Sequence, residues 1–255
     1  MKKVFLLLLL VPFIFVMVGC EEDPVEEINA PSALQLAGAT NEIDLVLTWS
    51  PSSTSDIDGY RIYFEGTELY ETTNLTYTHV SPTLGEYEIV AYRENEESDA
   101  LEHDTEDDLE DGTFTVYDMA AAVGFDSGVG FNSSGVVNTY SMSDDGNGPV
   151  VDFYYDTDGT FTRALYLGGA WVNNTGFRIT AETWTGLEVV DIAGYDAYTT
   201  TAIALNQIWQ VVLFKTNDAT WNYAKFRIDA TETTPNVSAT VSYKIQTIEG
   251  WARVD

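Results

Sequence analysis

Residues 43–63 read IDLVLTWSPSSTSDIDGYRIY, and this stretch decides the fold. Ile43, Leu45, Leu47 and Trp49 alternate with Asp44, Val46 and Thr48, the period of a strand with one buried face. The turn formers between Pro51 and Asp56 then stop the strand. Beyond them Tyr60, Ile62 and Phe64 make a second inward-facing set. Working outward, Glu65-Gly66-Thr67 turns the chain toward a short strand near Leu69, and Thr76 to Val80 and Glu86 to Tyr92 supply two more. Short strands at this spacing, separated by turn signals, predict an antiparallel sandwich.

These residues resemble a fibronectin type III domain. Pro31, Leu34, the strand ending in Trp49, the stretch Asp56 to Tyr63 and the turn Gly85-Glu86-Tyr87 carry the resemblance, which covers about 70 residues. It implies that Trp49 fills the space between two sheets and that Tyr60 and Ile62 face it. It also implies that Tyr87 is a tyrosine corner with its hydroxyl bonded to backbone. No Arg-Gly-Asp tripeptide is present to suggest integrin-type recognition.

The second half of the chain is patterned for strands as well. Val237, Ala239, Val241, Tyr243 and Ile245 alternate with polar residues, whereas Ile208 to Phe214 is more continuously apolar and reads as a central strand. Tyr223 to Ile228 reads as its hairpin partner. Further strands are expected at Phe114 and Val116 and at Val151, Phe153 and Tyr155. No window carries a helical period with caps, so the expected class is all-β: the first sandwich followed by a second antiparallel sandwich or barrel. The pair of segments Val211 to Thr216 and Tyr223 to Ile228 is similar to a strand pair in HmuY-like bacterial lipoproteins, some of which bind haem. That likeness implies a β-rich lipoprotein fold, but this unit has no His and only Met119 and Met142 as soft axial ligands, so haem is not carried over.

The chain has 255 residues and a formal net charge of −30, from 41 acids and 11 Lys and Arg. Such a balance argues against nucleic acid or an anionic membrane surface as partner, because phosphate neutralisation needs clustered cations. Residues 1–19 combine Lys2 and Lys3 with an apolar run and read as a secretory signal. Met17-Val18-Gly19-Cys20 resembles the lipobox of bacterial lipoproteins, which implies a diacylated Cys20 as the new N-terminus. Cys20 is the only cysteine, so no internal disulfide framework exists. The reading that follows is a tethered protein of the cell envelope facing the periplasm or the exterior, anchored by lipid on the outer membrane in a two-membrane cell. Residues 20–30 form an acidic tether, 31–101 the first domain, 102–112 an acidic linker with seven acids, and 113–255 the second domain.

Three kinds of chemistry compete for the second domain. Asp144, Asp145, Asp156 and Asp158 offer hard oxygens in Gly-bearing turns, as calcium prefers, although neither turn has the EF-hand spacing and both suit hairpins. Trp171, Trp184 and Trp221 stand beside Asn, Thr and Gly, as exposed sugar-stacking platforms do, while Trp209 in its apolar strand belongs to a core. A carboxylate pair would serve glycoside hydrolysis, yet no nucleophile elbow, metalloprotease motif or phosphate loop accompanies it. The expectation is a non-enzymatic binding, adhesion or structural module without an obligatory cofactor, presented to a protein or polysaccharide ligand.

Overall fold

The alternation that opens the sequence reading becomes strand geometry in a computed structural model, which describes residues 27–121, 124–132, 134–142, 147, 150–163, 175–191, 204–215 and 220–255. Strand β1 (Ser32–Gly38) pairs with β2 (Leu45–Ser50), and β2 pairs with β5 (Thr76–His79). A second sheet runs in the order β4 (Thr67–Thr72), β3 (Gly59–Phe64), β6 (Glu86–Arg93) and β7 (Glu96–Glu97), with β8 (Leu101–Asp104) also paired to β6. Leu45, Leu47, Trp49, Tyr60, Ile62, Tyr87 and Ile89 fill the space between the two sheets. Tyr60 packs edge-on to Trp49 at 5.7 Å and accepts a hydrogen bond from the Ser52 N–H at 3.1 Å. Both implied core roles are therefore seen.

Tyr87 departs from the implied corner. Its hydroxyl pairs with His79 Nδ1 at 2.7 Å and not with backbone, because His79 stands on β5 directly across the sandwich. Burial pushes the Tyr87 hydroxyl pKa up and the His79 imidazole pKa down.

The acidic run is not a free linker. Leu101–Asp104 forms β8, residues 105–108 turn, and Leu109–Tyr117 forms β9, the edge strand of the second unit. Charge dominates the composition of this run, but strands need only one apolar face: Tyr87 stands opposite His103, while Glu86 faces Asp104 and Glu88 faces Glu102 across the β6–β8 pair. Like charges set directly opposite are destabilising. The Glu86 carboxyl accordingly has a raised pKa, through lost hydration and then the neighbouring Glu102, Glu88, Asp104 and Glu65. The tether also ends earlier than its composition suggests. Ile28 is buried in the first core, and Asn29 is tied to the 51–54 turn by its N–H to Thr54 Oγ1 at 3.0 Å and by its carbonyl to Ser52 Oγ at 2.5 Å.

The second unit is a sandwich, which decides between the two expected architectures. One sheet runs β14 (Gly176–Thr180), β15 (Ile208–Lys215), β16 (Thr220–Glu232), β17 (Ser238–Gln246), β9; the other runs β11 (Val137–Tyr140), β10 (Gly128–Phe131), β12 (Phe153–Tyr155), β13 (Phe161–Arg163). Phe114, Phe131, Phe153, Phe161, Phe177, Phe226 and Trp209 pack between them. Phe153 lies at the middle of this cluster, 4.9 Å from Phe177 and 5.1 Å from Phe161, both edge-on. Strand β15 is an interior strand paired to the expected hairpin partner β16. Its largely apolar run has a cause: Trp209, Val211 and Leu213 enter the aromatic core, while Ile208 and Val212 meet Leu187, Val190, Tyr223, Ala252 and Val254 on the opposite face.

Candidate functional site

The densest set of long-range polar contacts lies where the two sandwiches meet. Strands β1 and β2 are joined by residues 39–44, held as a tight turn by Asn41, whose side-chain oxygen accepts from the Ile43 and Asp44 N–H groups. After β17 the chain returns to this turn. Ile248 and Trp251 enter the core of the first unit, and Ala252 and Val254 cover the outer face of the second. The Gly38 N–H donates to the Glu249 carbonyl at 2.8 Å, the Ala252 N–H to the Glu42 carbonyl at 2.8 Å, and Trp251 Nε1–H to the Ile43 carbonyl at 3.0 Å. Tyr223 on β16 donates its hydroxyl to the Glu42 carboxylate. Partial burial raises the pKa of that carboxyl.

A groove of about 460 Å³ is lined by residues of both units. Thr83 and Leu84 of the first unit form one wall, Glu106, Leu109 and Asp111 the floor between units, and Lys244 and Asp255 of the second unit the other wall. Lys244 Nζ donates to the Asp255 carbonyl at 2.8 Å. The groove thus offers carboxylates, one ammonium and one hydroxyl to a small polar molecule. Close by, His103 bonds Asp108 at 2.5 Å, and that contact raises the imidazole pKa despite burial.

Of the predicted site residues, Asp156, Asp158 and Trp184 are described with their side chains, and the two acids share one turn. Asp156 and Asp158 occupy the β12–β13 hairpin turn and spend their Oδ1 atoms on it. Asp156 Oδ1 accepts from the Thr157 N–H at 2.7 Å, and Asp158 Oδ1 from the Thr160 N–H at 3.0 Å and its hydroxyl at 2.5 Å. Gly159 takes φ +81° there, a turn conformation that a side chain resists. Among the described residues, no group of three or more His, Cys, Asp or Glu side chains is placed to hold a metal ion. Asp144, Asp145, Trp171 and Cys20 lie outside the described residues, and of Trp221 only the backbone, paired with Phe214 in β15–β16, is described.

Trp184 is half-buried, with Lys225 Nζ and Arg227 Cζ each 5.1 Å from its ring centre. Lys225 also donates to the Trp184 and Leu187 carbonyls, each at 2.9 Å, and so pins the 184–187 turn onto β16. Trp184 thus lies against two cations of β16. Burial, and then the nearby Lys244, push the Lys225 ammonium pKa down to about 8. The sequence reading missed Glu42, Lys225, Lys244, Ile248 and Trp251. The one available signal was Lys225 itself, a cation between apolar positions of a strand otherwise read as inner.

The strand order β1-β2-β5 against β4-β3-β6-β8 defines the class: a fibronectin type III-like sandwich, followed here by a second antiparallel sandwich. Two solved structures are similar to part of the chain. "Structure of FN3tt mut" matches at 21% identity, covering 30% of this chain and 92% of that one with a TM-score of 0.26. "Crystal Structure of FN3tt" matches at 22% identity, covering 30% and 90% with a TM-score of 0.26. No family model and no curated protein matches the chain.

Proposed function

We propose that this protein is an exported, lipid-anchored and non-catalytic module that holds its second sandwich away from the cell surface for binding or for a structural role. The observation that carries the reading is the polarity of the first sandwich. Ser32 pairs with Ser50 at one pole, where Ile28 and Asn29 enter beside the 51–54 turn, and Gly38 pairs with Leu45 at the opposite pole, where the second unit is attached. The chain enters at one end and continues from the other, as a spacer requires. The leader and the Met17-Val18-Gly19-Cys20 sequence supply the anchor in this reading. Lipid is the membrane partner, and a protein or polysaccharide the ligand. In cells, Cys20→Ala is expected to move the protein from the membrane fraction to the soluble fraction and to abolish labelling by a fatty-acid analogue. An unchanged membrane fraction would overturn the lipid anchor.

A further inference from the structure

We infer that residues 248–254 form an intramolecular lock that completes the core of the first sandwich, so that the two units unfold as a single cooperative body. Trp251 is fully buried and Ile248 nearly so, and both belong to the same cluster as Leu45, Leu47 and Trp49 of the first unit. The lock is bonded on both sides. Toward the first unit it uses the Gly38, Glu42 and Ile43 backbone contacts. Toward the second, the Val190 N–H donates to the Ala252 carbonyl at 2.9 Å and the Val254 N–H to the Glu188 carbonyl at 2.8 Å. Arg253 adds an isolated bridge to Val189 and a salt bridge to Glu188 at 3.4 Å.

Backbone approach at the lock is close enough to dictate residue type. A Cβ on Gly38 would stand 1.8 Å from the Gly250 carbonyl oxygen, and Gly250 itself takes φ +71°. Two domains that merely touch would leave position 38 open to any strand residue. Here its occupant is set by a segment more than 200 residues away. Removing Trp251 empties space within the first core while cutting a contact made by the second unit, so the loss falls on both.

The test is native-state hydrogen exchange on the full chain, reading the slowest amides of β2 and β3 against those of β16 and β17. The unaltered protein is expected to show one urea transition, with equal opening free energies for the two sets. Gly38→Val and Trp251→Ala are expected to lower protection in both sets together by tenfold or more. Trp251→Phe keeps an aromatic ring but loses the bond to Ile43 and part of the buried indole, and is expected to lower both sets by at least about fivefold, the worth of one hydrogen bond. Two separate transitions in the unaltered chain would overturn the lock. So would a Trp251→Phe chain in which β2 and β3 lose protection while β16 and β17 keep theirs.

Discussion

The core of the first sandwich mixes Leu and Ile with a few aromatic rings, among them the Trp49–Tyr60 pair, whereas the second is filled mainly by Phe and Trp rings in mutual contact. Their surfaces differ in the same sense. The first unit sets carboxylates opposite one another across β6 and β8, and the indole N–H of Trp49 in its core has no hydrogen-bond partner. Cations are paired in both units: Arg61 with Glu71 and Glu97 in the first, and in the second Lys225 on two carbonyls and Arg253 between Glu188 and Asp255. A buried donor without a partner and like charges in register both cost stability. The first unit carries those costs with its core completed by Ile248 and Trp251 from the second, and the comparison teaches that its stability leans on its neighbour.

The largest way to break this comparison is through the aromatic cluster. Phe153→Ala is expected to cost about 3–5 kcal/mol, the range for deleting a buried Phe ring, and to lower the urea midpoint of both units. A first sandwich that stayed folded in that variant would be self-contained after all. A smaller effect sharpens the electrostatic difference. Glu102→Lys turns the repulsive Glu88 pair into an attractive one and is expected to gain roughly 0.2–1 kcal/mol. Salt at about 1 M, where charges are screened beyond about 3 Å, should remove most of that gain. Equal urea midpoints for the variant and the parent chain at low salt would show that the β6–β8 repulsion costs nothing.

The smallest effects are in the pH dependence and run in opposite directions. Asp108 raises the His103 pKa, so this imidazolium stabilises the fold fully below the unfolded value near pH 6.5, and the contribution fades as pH rises through the elevated folded value. Burial lowers the His79 pKa, so the unfolded chain takes up a proton first and stability falls as pH drops below about 6.5. His103→Gln should flatten the alkaline side of a plot of urea midpoint against pH, and His79→Gln the acidic side. Unchanged slopes would remove the corresponding pair from the account.

Much of the first sandwich was legible because Leu45, Leu47, Trp49, Tyr60 and Ile62 announce their burial through a local period that needs no partner to be read. The largely apolar run of β15 was legible too, since a strand covered on both faces shows little polar alternation. Leu101 to Asp111 failed for the converse reason. Leu101 packs on the first core, but the inward residues after it are His103, Thr105 and Leu109, only one of them strongly apolar, so acids on the outer face dominate its composition. Ile248 and Trp251 were invisible as core because the partner they fill lies 208 residues earlier, from Ile43 to Trp251, and no local pattern encodes that distance. For the site, the Asp156 turn was readable from its residue types, but which acids would line the groove with Lys244 depends on how two sandwiches dock.

The separation between Gly38 and Gly250 also has a meaning in time. A chain threaded through a membrane from its N-terminus delivers β1 and β2 long before residues 248–251 arrive to fill their core. In an exported protein, the first sandwich would then wait, incompletely packed, until almost the whole chain has crossed. Early folding on the wrong side of the membrane would be discouraged by the same contact that later fastens the finished molecule.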